Sequence, residues 1–192
     1  VFTTTYDNLN RTTATITPLD DQTLFSYAPN TLLEATRDPE GHITTNLYDA
    51  NHRVEVMINA LGQRTSYAYD AVGNRTSVQN PLGYVTSYDY DAANRQQARI
   101  NPLGLVTTFG YDPADNPTSV TDPEGHISTT VYDERDRVIA QVDPLGHRTS
   151  FTYDGSNNRL TETDPCGHTA TSQFDPRNLL TTLTNAEQEV TW

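Results

Sequence analysis

Cysteine occurs once in 192 residues, at Cys166. A disulfide framework is excluded, so stability has to come from strand pairing and packing. Basic residues are scarce, 12 against 25 acidic ones, giving a formal net charge of −13. That balance argues against nucleic acid as a partner, because nucleic acid requires clustered cationic side chains. The excess acid instead keeps an edge-rich β protein soluble. There is no apolar run of transmembrane length and no signal peptide at Val1, so membrane insertion is not expected. Hydrophobic residues make up 34% of the chain, below the usual globular share. Such poverty can accompany disorder. Here 11 Tyr, 5 Phe and a strict register oppose that reading.

An aromatic recurs every 21 residues, at Tyr6, Tyr27, Tyr48, Tyr69, Tyr90, Tyr111, Tyr132, Tyr153 and Phe174. A fixed period of this size marks a repeat architecture of nine copies, with no linker or composition break across 1–192. Asp follows the aromatic in most copies, as in Tyr48-Asp49, Tyr69-Asp70, Tyr90-Asp91, Tyr111-Asp112, Tyr132-Asp133 and Tyr153-Asp154; Ala28 breaks the rule. The fourth residue after the aromatic is Asn10, Thr31, His52, Gly73, Asn94, Asp115, Asp136, Asn157 or Asn178. Gly, Asn and Asp tolerate positive φ, so this slot reads as a left-handed turn position. An Asp opening the turn can accept hydrogen bonds from backbone N–H groups two residues on.

A second turn follows. Asp or Asn starts it in eight copies, Pro comes next in seven (Ala60 and Ala186 are the exceptions), and Gly stands three after the start in seven. Those glycines are Gly41, Gly62, Gly83, Gly104, Gly125, Gly146 and Gly167; Asp20 and Gln188 depart from the pattern. Asp/Asn-Pro-x-Gly predicts a type I turn with a left-handed exit, closing a hairpin loop of three or four residues. Each repeat is then two strands, for example about 75–79 and 85–90. Nine repeats predict about eighteen strands in an antiparallel sheet that curls as it lengthens. Period two places Thr65, Tyr67 and Tyr69, and their counterparts, on one face.

These motifs resemble the RHS/YD-repeat family across essentially the whole chain. The resemblance implies an all-β ribbon that spirals into a hollow shell, packs against neighbouring repeats of the same polypeptide, and encloses a C-terminal toxin for delivery from a bacterial cell. Val1 and Trp192 fall within repeats, so the chain reads as a segment of a longer array. Two features of complete members are missing from this stretch: a toxin domain and a protease-like core with paired Asp-Pro-x-Gly motifs. The Asp-Pro-x-Gly motifs here keep the spacing of the ordinary repeat.

Two further readings stay open. One is a cell-surface module that binds carbohydrate or a receptor through its Tyr and Phe ladders. The other, ranked last, is self-cleavage at an Asp-Pro-x-Gly pair. No catalytic residue, cofactor or metal is assigned. Paired carboxylates must share one site, whereas equivalent residues of successive hairpins lie two strands, or about 9–10 Å, apart. The same spacing dismisses a zinc site along the column His126, His147 and His168, since ligands must reach a common ion at about 2.0–2.1 Å.

Overall fold

The computed structural model describes residues 1–30 and 32–185, and the backbone of 190–191. Thr31, Ala186 and Gln188 of the turn pattern lie outside the described residues. Among the described residues every element is a strand, and no helix is long and apolar enough to cross a membrane. The chain divides into two compact units, Val1–Asn94 with Ile100–Gly104, and Arg95–Arg99 with Leu105–Trp192.

The first unit contains β1 (Thr3–Tyr6), β2 (Thr12–Ile16), β3 (Gln22–Tyr27), β4 (Leu33–Arg37), β5 (Ile43–Tyr48), β6 (Val54–Ile58), β7 (Arg64–Tyr69), β8 (Arg75–Gln79) and β9 (Val85–Tyr90). The division falls within β10 (Gln96–Ile100). The second unit continues with β11 (Val106–Tyr111), β12 (Pro117–Thr121), β13 (Ile127–Tyr132), β14 (Val138–Val142), β15 (Arg148–Tyr153), β16 (Arg159–Thr163), β17 (Thr169–Phe174), β18 (Leu180–Thr184) and the short β19 (Val190–Thr191). β1 to β9 pair in sequence order, antiparallel throughout. β11 to β19 do the same. Each unit is therefore a meander of the predicted hairpins.

Both turns of the repeat close in the same way. Asp143 N–H donates to the His147 carbonyl at 3.0 Å, and Gly146 N–H donates to the Asp143 carbonyl at 3.0 Å. In the other turn Asp133 N–H reaches the Arg137 carbonyl at 3.0 Å and Asp136 N–H reaches the Asp133 carbonyl at 3.0 Å. This is a type I turn whose fourth residue is left-handed, closing a three-residue loop. The left-handed residue is Gly in the second turn, including Gly41, Gly62, Gly83, Gly104, Gly125, Gly146 and Gly167. In the first turn it is Asn, Asp, His52 or Gly73. Asp20, an exception in sequence, takes φ 66° and so occupies the same conformation. A Cβ at Gly146 meets nothing within 4 Å, but φ there is +86°. Gly146→Val is accordingly expected to cost about 1–2 kcal/mol through backbone conformation alone. Urea titration should show that loss, with Gly146→Asn nearly neutral.

One feature has no sequence signal. In hairpins that open at the repeat aromatic, the register slips just before it. Leu47 pairs with Val56 but Tyr48 with Val54, leaving Glu55 unpaired. Ile139 is bypassed in the same way between Val131↔Ala140 and Tyr132↔Val138. A bulge of this kind bends the strand and strengthens its twist.

Burial is shallow. Among the described residues the buried hydrophobics are Ala14, Val56, Ala98 and Ala140, with Ala140 at 0% exposure. They stand 42 residues apart, two repeats rather than one. The equivalent positions in the intervening copies, Ala35, Ser77, Ser119 and Thr161, are half-buried. Among the described residues, every strand contact within a unit is with a strand consecutive in sequence, and none of them forms a second layer over its sheet.

Candidate functional site

The repeat Tyr is where neighbouring copies lock together. Between repeats the ladder holds only three residue pairs, as in Val56↔Ser66, Met57↔Thr65 and Ile58↔Arg64. Beyond it Tyr69 Oη donates to the Val54 carbonyl at 2.9 Å, making the bond the ladder lacks. Tyr48 bonds the Leu33 carbonyl at 2.6 Å, Tyr90 the Arg75 carbonyl at 3.0 Å and Tyr111 the Gln96 carbonyl at 2.9 Å. Tyr132 bonds the Pro117 carbonyl at 3.1 Å and Tyr153 the Val138 carbonyl at 2.8 Å. The partner is always 15 residues back. Where the acceptor is half-buried, as at Leu33, Val54, Gln96 and Val138, an unpaired carbonyl is costly, which gives a physical reason for Tyr over Phe.

Four alternate copies add an arginine clasp, at Arg11, Arg53, Arg95 and Arg137; Leu179 ends the series. Arg137 Nε donates to Asp133 Oδ2 at 2.8 Å, and its Nη1 donates to the Asp154 carbonyl of the next copy at 2.9 Å. Its guanidinium lies 4.8 Å above the Tyr153 ring. Arg53 repeats the arrangement with Asp49, the Asp70 carbonyl and the Tyr69 ring. Arg11 stacks on Tyr27 and Arg95 on Tyr111. The chain contains no lysine, and only a planar guanidinium can fork, bond and stack at once. In three of the intervening copies Asn takes the slot, and in the copy from Tyr27 it is Leu32. Asn74 Nδ2 donates to Asp70 Oδ2 at 2.9 Å, Asn116 to Asp112 Oδ2 at 3.1 Å and Asn158 to Asp154 Oδ2 at 2.8 Å. Asn keeps the turn bond and gives up the stack. Arg137→Asn should therefore fold with its turn preserved and lose about 1 kcal/mol, the scale of a cation–π contact. Chemical denaturation of the variant beside the parent chain measures it.

The turn carboxylates are structural anchors. Oδ1 of Asp133 accepts from the N–H groups of Arg135 (2.9 Å) and Arg137 (3.1 Å). Asp49, Asp70, Asp91, Asp112 and Asp154 open their turns alike, each accepting an N–H two residues on. The Arg137 side-chain hydrogen bond leads in holding the Asp133 carboxyl at about 2. At Asp49 the Arg53 N–H leads in lowering the carboxyl. A general acid needs a pKa raised toward neutrality; these carboxyls move the other way. The sequence pattern found the Asp and Gly positions but missed the arginines five residues after the aromatic. Their alternation with Asn was the available signal, visible only at a period of 42.

In the second turn Asp and His occur together. His42, His126, His147 and His168 each place Nδ1 2.8–2.9 Å from Oδ2 of the Asp that opens the same turn. Turns that open with Asn59, Asn80 or Asn101 have Gln63, Tyr84 or Leu105 instead. At His126 the Asp122 hydrogen bond leads in raising the imidazole above its ordinary value. Along the column these histidines belong to separate repeats, whereas within one turn the donors lie close together. Asp38/Glu40/His42, Asp122/Glu124/His126 and Asp164/Cys166/His168 each bring three possible ligand atoms within 4.8 Å of one another.

The family pattern described as RHS Repeat matches residues 48–85, 69–105, 90–127 and 132–169. No curated protein matches the sequence. A crystal structure of TcdB2-TccC3 is similar over 94% of this chain and 14% of its own, with TM-score 0.69 and 12% identity. A crystal structure of TcdB2-TccC3 without the hypervariable C-terminal region gives TM-score 0.68 and 14% identity over 96% of this chain and 11% of its own. A Tc holotoxin pore from Photorhabdus luminescens gives TM-score 0.63 and 14% identity over 85% of this chain and 12% of its own. At such identities the likeness is one of fold, and the chain spans 11–14% of the length of these structures.

Proposed function

The chain belongs to the RHS repeat family, and from that premise we propose that it is a non-catalytic wall segment of a hollow β-shell that carries a toxin for delivery out of a bacterial cell. The observation that carries this reading is the uncovered sheet. Among the described residues, strands within a unit touch only their sequence neighbours, and the buried hydrophobics are small Ala side chains and Val56. A sheet that gathers no second layer is suited to be a partition rather than a globule. Its cohesion comes from backbone pairing, Tyr–carbonyl bonds and Arg clasps, each of which joins one repeat to the next. Such nearest-neighbour bonding lets a wall be extended by adding copies. The solved structures of similar fold are described as TcdB2-TccC3 and as a Tc holotoxin pore that includes TccC3, which supports the same role for this chain within its parent.

Cryo-electron microscopy of the full-length parent tests the proposal. The expected result is these repeats forming part of a closed wall around additional density. An open strip with empty surroundings overturns encapsulation. Glycan and receptor binding by that open strip would replace it with the surface-module reading.

A further inference from the structure

We propose that the turn Asp164-Pro165-Cys166-Gly167-His168 is a zinc site with an open coordination position, using the Asp164 carboxylate, the Cys166 thiolate and the His168 imidazole. The proposal is independent of the shell reading. The three donors sit at alternate positions of one turn, and their ligand atoms lie within 4.8 Å of one another. The turn is already set. Asp164 Oδ1 accepts from Cys166 N–H at 2.8 Å and from His168 N–H at 2.9 Å, and Gly167 closes the loop at φ +88°. Cys166 and His168 are exposed, so their side chains can rotate onto an ion without disturbing a core. Zinc takes Cys sulfur at about 2.3 Å and His nitrogen or carboxylate oxygen at about 2.0–2.2 Å. A modest contraction of the present spread meets those distances.

The chain supplies its own comparisons. The turn from Asp143 to His147 keeps both outer donors and puts Leu145 between them. The turns with Glu40 and Glu124 offer a hard oxygen in the middle instead. Only the fourth turn of this type has a thiol, and it uses the chain's one cysteine. A soft thiolate beside imidazole and carboxylate suits zinc, whereas oxygen-rich sets suit magnesium, calcium or manganese. On binding, the thiol proton leaves to solvent, the neutral imidazole carries its one proton on Nε2 through exchange with solvent, and the ion sits between His168 Nδ1 and Asp164 Oδ2, now 2.9 Å apart. Three protein donors leave the fourth position to water, as in open zinc sites.

Titration of the reduced full chain with cobalt(II), as a spectroscopic stand-in, and with zinc by calorimetry tests the site. The expected result is one thiolate-to-cobalt charge-transfer band that zinc abolishes at one equivalent. Cys166→Leu copies the Leu145 turn and so keeps the fold, which far-UV circular dichroism checks. It should remove the band and weaken zinc binding by at least about tenfold. His168→Gln should weaken binding similarly while leaving the thiol in place. Absence of the band, or zinc affinity unchanged in Cys166→Leu, overturns the proposal.

Discussion

Tyr153→Ala is expected to destabilise the second unit by about 3 kcal/mol, the lower end of the range for truncating a packed aromatic. The ring is the platform for Arg137 at 4.8 Å, and its hydroxyl is the donor to the Val138 carbonyl at 2.8 Å. Tyr153→Phe keeps the platform and loses only the donor, so it should cost about 1 kcal/mol, a single hydrogen bond. Urea titration compares the two, and hydrogen exchange localises the effect. Protection should fall first at Val138 and its neighbours in β14 and β15. In a repeat array stability is a sum of local and nearest-neighbour terms, so the loss should remain local. Equal costs for the two variants would mean that the hydroxyl, not the ring, holds the copies together.

Acid is expected to unfold the chain cooperatively as pH falls from about 4 toward 2. Eleven aspartates have carboxyls held below the ordinary 3.8: Asp7, Asp38, Asp49, Asp70, Asp112, Asp122, Asp133, Asp143, Asp154, Asp164 and Asp175. At Asp38, Asp70 and Asp112 desolvation is the largest single influence and pushes upward, yet the hydrogen bonds together outweigh it. A carboxyl that is more acidic folded than unfolded stabilises the fold above the unfolded value and stops doing so as pH drops through the folded one. For Asp133 that lower limit is about 2. His126 works in the opposite sense. Its raised pKa contributes fully below 6.5 and is lost as pH rises through its folded value. Circular dichroism against pH should therefore show a flat region at mildly acidic pH, a slight softening above neutrality and collapse under strong acid. Asp133→Asn removes the most acidic of these anchors and should move the acid midpoint upward. An unchanged midpoint would count against the turns as the acid-sensitive element.

Much of this was legible in one dimension because turns are local. The φ preferences of Gly, Asn and Asp, and the fixed φ of Pro, act within five residues, so the two turns of each repeat could be placed from their residues alone. The strands Arg75–Gln79 and Val85–Tyr90 fall where the turn spacing put them. Asp49, Asp70 and Asp154 were legible as turn openers, since their bonds to N–H groups lie within the same loop.

What joins one copy to the next was not legible, because it depends on register. The bulges at Glu55 and Ile139 carry no glycine or proline to announce them, and they emerge only when two strands are laid side by side. The Tyr–carbonyl bonds span 15 residues, and the Arg53 and Arg137 bonds to the next copy's backbone span 17. The three-donor turns were not legible for a different reason: donors at alternate positions become a cluster only when the turn folds their side chains to within 4.8 Å of one another. By itself the sequence determined the repeat, the turns and the β class, because those follow from backbone preferences of neighbouring residues. The tertiary structure alone decided the bulged register, the bonds of Arg53 and Arg137 to the next copy and the 42-residue rhythm of burial at Ala14, Val56, Ala98 and Ala140, because each is a contact between strands.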